Sequence, residues 1–424
     1  MTKKVLNILI YLVPVFLIAG IIDYRFHNYF WPDLNFFRII PSLRMFDFFS
    51  IFDAFLLLVF AGYLISPRIE KKVKWIDFTI LFLIIGLILS RIFYVQIEPS
   101  IKSYWFQVYI NYANPILLFF VLMFSLKDVK VFKNFSNILM IVFGFFGLVI
   151  LFEYFTGLLP GETRDFLMRL AWPYIDPFFG LKAESANWLS YLFGPMVIFA
   201  SVHLAQKIKE HKKVLNYLVE SLCIFISVLV LILTKSYTGI GVTFLIIALL
   251  VFINIPRKAK KYFTLGFVLL IAIFIATQYN TQKFQILLGH YSKENSIERR
   301  EQIYTFNYEA FKENWLKGIG PGNYQSFFKE NMEKYIGTAI PEEEVPPHPH
   351  NLVTHFWSDL GIFGLIAALS LYIGTFYELI VKRKKALFFL IPLYFLAHGM
   401  LDLPYGLEEN SILFWVFFAI ASAS

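Results

Sequence analysis

Apolar residues gather into long runs along the chain, at roughly 5–22, 48–65, 75–95, 104–125, 136–158, 185–205, 216–234, 236–255, 261–277, 352–380, 386–399 and 410–424. A helix that crosses a bilayer takes about 20 mainly apolar residues, and inside lipid only a helix or a closed barrel satisfies its own backbone. The twelve runs therefore predict an all-α polytopic membrane protein with about twelve transmembrane helices, read as one integral membrane domain over residues 1–424. Lys3 and Lys4 resemble the charged start of a signal peptide. No small-residue cleavage site follows them, so the first run is read as a retained span.

The polar connectors differ in charge. Segments 66–74, 126–135, 206–215, 256–261 and 382–385, with the N-terminus, carry 21 of the 38 Lys and Arg residues against three acids, Glu70, Asp128 and Glu210. They are every second connector, as the positive-inside rule requires if they and both termini are cytoplasmic. The longest of the other connectors, residues 278–351 between the ninth and tenth runs, is then a large periplasmic segment. Within it, residues 301–316 place Ile303, Phe306, Ala310 and Phe311 at helical spacing, which predicts an amphipathic helix. Gly318-Ile-Gly-Pro-Gly322 stops that helix, because glycine and proline together do not continue one.

Composition agrees with a membrane chain and excludes a soluble domain: 58% of the 424 residues are hydrophobic, 19% aromatic and 16% charged. The net charge of +8 matters less than its placement on one side, and no nucleic-acid partner is expected. The lone cysteine, Cys223, lies in an apolar run and provides neither a disulfide nor a cysteine metal site.

Candidate chemistry lies on the outer side. Val345-Pro-Pro-His-Pro-His-Asn351 enters the tenth run, and Gly361-Ile-Phe-Gly364 follows nine residues after Asn351. Upstream, Arg300 precedes the predicted amphipathic helix and its Gly-x-Gly-Pro-Gly stop. These two linked motifs resemble those of the O-antigen ligase and polymerase superfamily and of the related protein O-oligosaccharyltransferases, over roughly residues 180–410. Such ligases often carry Thr-x-Ser-Arg at the outer end of a span, where this chain has Thr234-Lys-Ser-Tyr237, so Lys235 is the corresponding cation. They also place an arginine ahead of the sixth span, beside a stretch like Gly180 to Asn187. Arg164, Arg169 and Lys182 are the nearest basic residues here.

The resemblance implies an inverting, metal-independent glycosyltransferase in the bacterial inner membrane. Its donor would be an undecaprenyl-pyrophosphate-linked glycan, its acceptor lipid A-core or a growing glycan, its surroundings membrane lipids, and it would need no cofactor. The residue types suit that chemistry on their own terms. A departing pyrophosphate is best stabilised by preorganised cations, and an arginine can grip its oxygens in a bidentate fork. An acceptor hydroxyl gains from a base within hydrogen-bond reach, and histidine suits neutral pH. Arg300 and His350 are thus the catalytic candidates, and Arg164, Arg169, Lys182 and Lys235 the pyrophosphate-binding ones. Asp402, Asn351 and His348 would bind the acceptor or orient His350. No Asp-x-Asp occurs in the chain, which disfavours the metal-holding carboxylate pair of nucleotide-sugar transferases.

Other readings stand beside these. His350 could cap the tenth helix, Arg300 could anchor a surface helix to headgroups, and His348, His350 and His355 could share a zinc ion. Twelve spans also suit a transporter or flippase, although paired repeats and midplane charges are not evident. Within the enzyme reading the His-Asn spacing favours a ligase, with an O-antigen polymerase as the alternative.

Overall fold

The computed structural model describes residues 3–30, 75–93, 107–157, 170, 172–175, 182–210, 217–281, 285, 296–341, 345–382, 387–405 and 408–424. Thirteen α-helices and one short hairpin make up the described chain: α1 (Lys3–Phe30), α2 (Trp75–Phe93), α3 (Asn114–Ser125), α4 (Val129–Thr156), β1 (Trp172–Ile175), β2 (Lys182–Ser185), α5 (Ala186–Lys209), α6 (Leu218–Leu233), α7 (Tyr237–Asn254), α8 (Arg257–Gln278), α9 (Ser296–Asn314), α10 (Tyr324–Ile336), α11 (Leu352–Lys382), α12 (Leu390–His398) and α13 (Glu408–Ala423). Eleven of the twelve apolar runs are helical here, and the run at 48–65 lies outside the described residues. Among the described residues, six helices are long and apolar enough to cross a membrane, and five more apolar helices are shorter. The antiparallel β1–β2 hairpin, Trp172 opposite Ser185, was not expected from the apolar pattern.

Hydropathy identifies these helices but not their depth in the bundle. Helix α5 runs through the centre, with Leu189, Leu192, Phe193, Met196, Ile198 and Phe199 all fully buried. Helix α13 is buried on every side, and its Trp415 packs edge-on to Phe119 of α3 at 5.4 Å. Helix α8 is the opposite case: Tyr262, Leu265, Val268, Leu269 and Ile273 are exposed around its circumference, as suits a helix solvated by lipid. At one end of the bundle Lys207 pairs with Glu220 at 2.6 Å and Lys209 donates to Asn254 at 2.6 Å.

At the other end, α9 and α10 form a small layer with its own core. Ile303, Phe306 and Ala310 of the predicted amphipathic stripe are buried there with Tyr324 and Phe328 of α10, and Phe311 packs against them. Gly318, Gly320 and Gly322 all have positive φ, the conformation that glycine adopts without a Cβ penalty. This turn does more than end α9. The Ile319 and Gly320 N–H groups donate to the Ser358 carbonyl at 2.6 and 2.8 Å, and the Ile362 N–H donates to the Leu316 carbonyl at 3.1 Å. The partner is a break in α11 at Gly361, with φ 62° and ψ −143°. A methyl group at Gly361 would run into the Leu316 carbonyl, and one at Gly318 would lie 2.6 Å from the Trp357 carbonyl. The two glycine motifs are therefore halves of one backbone clasp that fixes α9 against α11.

Candidate active site

Asn351 caps α11: its Oδ1 accepts from the Val353 and Thr354 N–H groups at 2.9 and 3.2 Å, as helix N-caps do. Its amide Nδ2 donates to the Met400 carbonyl at 3.0 Å, which ties the start of α11 to the loop after α12. Asn351 thus acts through the backbone, and the residue before it is the one left to face outward. His350 is partly exposed, its side chain at 28%, and holds a φ of +52°, costly for a residue with a Cβ. Lys235, between α6 and α7, is the other non-glycine residue with positive φ among those described, at 49°. Both were site candidates from sequence.

The strain at His350 brings its Nδ1 to 3.0 Å from Oδ1 of Asp402, a buried carboxylate in the loop after α12. Asp402 also accepts from Nδ2 of Asn187 at 2.7 Å, from the Leu403 N–H at 2.9 Å and from the Tyr191 hydroxyl. Burial works to raise the Asp402 carboxyl. The hydrogen bond from His350 outweighs it, helped by the charge that the surrounding histidines carry when protonated, and holds the group well below the usual carboxylate range. An ionised carboxylate only accepts, so Nδ1 of His350 carries a proton, and in the neutral ring the lone pair is on Nε2. His348 packs its ring against His350, centroids 4.3 Å apart, and its Nδ1 accepts the His350 N–H at 3.4 Å. Burial and the neighbouring His350 push the His348 ring down to about 3, so it stays neutral and forms a wall beside the base.

Helix α9 brings the cation. Asn307 donates to the Pro349 carbonyl at 3.1 Å and accepts from the Tyr324 hydroxyl at 2.6 Å, which pins α9 to the histidine loop. Arg300 lies seven residues earlier, two turns back on the same face. Its charge acts on Tyr191, Tyr304 and His398, groups on which Asp402 also acts, so Arg300 is in the neighbourhood of that carboxylate. Lys235 is exposed between buried Thr234 and Ser236, and Ser236 donates to Oδ1 of Asn187 at 2.7 Å. The structure thus brings together His350, His348, Asp402 and Asn351, with Arg300 in their neighbourhood and Lys235 next in sequence to Ser236, which reaches Asp402 through Asn187. Arg164 and Arg169 lie outside the described residues, and Lys182 is placed in β2 by its backbone.

Sequence reading missed Asn187 and Tyr191, adjacent turns of α5 that converge on a carboxylate more than 200 residues away. It also missed a second histidine and carboxylate: His355 Nε2 lies 3.7 Å from Oδ2 of buried Asp359, which accepts from the Tyr112 hydroxyl at 2.8 Å. Among the described residues, no three His, Cys, Asp or Glu side chains converge as metal ligands.

No curated protein matches the chain significantly. Residues 222–369 match the family model described as O-antigen ligase, a stretch that contains Lys235, Arg300, both glycine motifs and the His-Asn pair. This match supports membership of the chain in the O-antigen ligase superfamily.

Proposed function

We propose that the protein transfers a glycan from a polyprenyl pyrophosphate carrier to a sugar hydroxyl, with His350 as general base and Arg300 as the cation that receives the leaving pyrophosphate. The observation that carries this reading is His350, held on a left-handed backbone with its Nδ1 on Asp402 and its Nε2 left as base, in the neighbourhood of the helix that carries Arg300. In one step the acceptor O–H gives its proton to Nε2, and its oxygen bonds to the anomeric carbon. The bond from that carbon to the phosphate oxygen breaks, and the electron pair leaves with the pyrophosphate. A single displacement inverts the anomeric centre.

Arg300 acts where negative charge grows, which is where a fixed cation accelerates most. Lys235 supplies a second positive charge, and Arg164, Arg169 and Lys182 compete for that role. Asp402 orients His350 rather than binding acceptor, because its oxygens are already occupied. Asn351 sets the backbone entry into α11. The site faces the periplasm if the basic connectors lie in the cytoplasm.

Lipid A-core is the proposed acceptor, and undecaprenyl pyrophosphate the proposed carrier. The test is transfer by the purified protein in detergent from lipid-linked glycan to purified lipid A-core. Appearance of glycan on the core supports the ligase reading. Growth of the glycan on its own carrier would make the protein a polymerase, and neither product would overturn the transferase reading.

A further inference from the structure

A chain of hydrogen bonds joins the turn that carries Lys235 to the base. The Gly239 N–H, in the first turn of α7, donates to Ser236 Oγ at 3.3 Å, and the Ser236 hydroxyl donates to Oδ1 of Asn187 at 2.7 Å. The Asn187 amide donates to Oδ2 of Asp402 at 2.7 Å, and His350 Nδ1 donates to Oδ1 of the same carboxylate at 3.0 Å. The sense of every link is fixed. A carboxylate only accepts, so Asn187 must turn its NH₂ to Asp402 and its carbonyl to Ser236. The Ser236 hydroxyl then has its proton committed to Asn187 and accepts from the backbone. All the dipoles on the Asn187 side point the same way, from the positive end of α7 toward Asp402, the arrangement in which hydrogen bonds polarise one another.

We propose that Asn187 is a positioning residue of the site: with Ser236 behind it, it spreads the charge of Asp402 and so sets how strongly that carboxylate favours the protonated form of His350. This rests on the reading of His350 as general base. One carboxylate is shared between His350 and its other donors, Asn187 among them. Charge drawn toward Asn187 is charge not offered to the imidazolium, so an intact chain keeps His350 in its unprotonated, base-competent form to lower pH. The other groups facing this pair are His348 on the same loop, Tyr191 from α5, Arg300 and Tyr304 from α9, and His398 from α12.

The test is the pH profile of kcat at saturating donor for the full-length protein. Asn187→Leu removes the donor at nearly constant volume, and the acid limb of the profile moves to higher pH by about one unit, the scale of a lost charge-assisted hydrogen bond. Ser236→Ala breaks the chain one link further out and moves it the same way by less. Ser236→Thr restores the hydroxyl and the wild-type profile. A merely structural role would lower rate or yield and leave the limb in place. Should Asn187→Leu fail to fold, Ser236→Ala against Ser236→Thr decides the matter. An unshifted acid limb in an actively transferring Asn187→Leu or Ser236→Ala protein overturns the inference alone. Absence of transfer by the wild-type protein overturns the base reading and this inference with it.

Discussion

Two histidine and carboxylate pairs lie at either side of the Asn351 cap, and they differ in every respect that matters for chemistry. In the outer pair, His350 meets Asp402 through Nδ1 at 3.0 Å, from a left-handed backbone and with its ring partly open. In the inner pair, His355 is on regular helix, nearly closed to solvent, and its Nε2 lies 3.7 Å from Asp359, beyond hydrogen-bond range. Nε2 of His355 has no hydrogen-bond partner among the described residues, and its ring packs against Phe356 and Tyr405. Asp359 takes its hydrogen bond from Tyr112 instead. The residue types are the same, and only one pair combines an orienting contact with access. The comparison teaches that exposure and backbone strain, more than histidine itself, mark the reactive group here.

The largest expected effect falls on the outer pair. His350→Ala lowers kcat for transfer by roughly 10²–10⁴ while donor lipid still binds, since a base acts on the acceptor's proton in the transition state. Binding of radiolabelled donor beside a transfer assay checks both halves. Arg300→Ala lowers the rate by on the order of 10²–10³, and Arg300→Lys by less, because a lysine supplies charge without the fork. Asp402→Asn lowers the rate as well, though by less than His350→Ala, through the kind of tautomer reversal that such a change causes in a serine protease triad. Its effect should fall on kcat rather than KM.

The smallest effect concerns His348 and is read as stability. Its folded pKa of about 3 lies below the ordinary 6.5, so between these values the unfolded chain binds the extra proton. Stability from this group is therefore fully present above about pH 6.5 and is lost as pH falls toward 3. His348→Gln should flatten part of the fall in melting temperature over that window, measured in detergent from pH 7 to 4. Asp402, held low, remains ionised throughout it and contributes nothing to that fall.

Much of this was legible in the sequence because it is local. Apolar runs give helices directly, and the spacing of Ile303, Phe306 and Ala310 gave the buried face of α9. The His-Asn pair, its nine-residue spacing to Gly361, and Arg300 ahead of the glycine turn all pointed to one site. What stayed hidden depends on distant parts meeting. The Gly318 to Gly322 turn reads as a helix stop, and nothing local says that it clasps a break at Gly361 some forty residues on. Helix α10 has too little apolar content to stand out from a polar loop, and α11 reads as one span although its backbone breaks. Asn187 and Tyr191 look like ordinary residues at the start of a span, and only the fold places them on Asp402.

The central claim is that the His350 imidazole, and not His355, takes the acceptor's proton. Chemical rescue tests it most directly: His350→Ala and His355→Ala are assayed for transfer with increasing free imidazole at constant pH. The account predicts that imidazole restores transfer to His350→Ala in a concentration-dependent way, because the site is open to solvent. It predicts that His355→Ala transfers within about tenfold of wild type and gains nothing from imidazole. Wild-type transfer by His350→Ala without imidazole, or rescue of His355→Ala in its place, would contradict it.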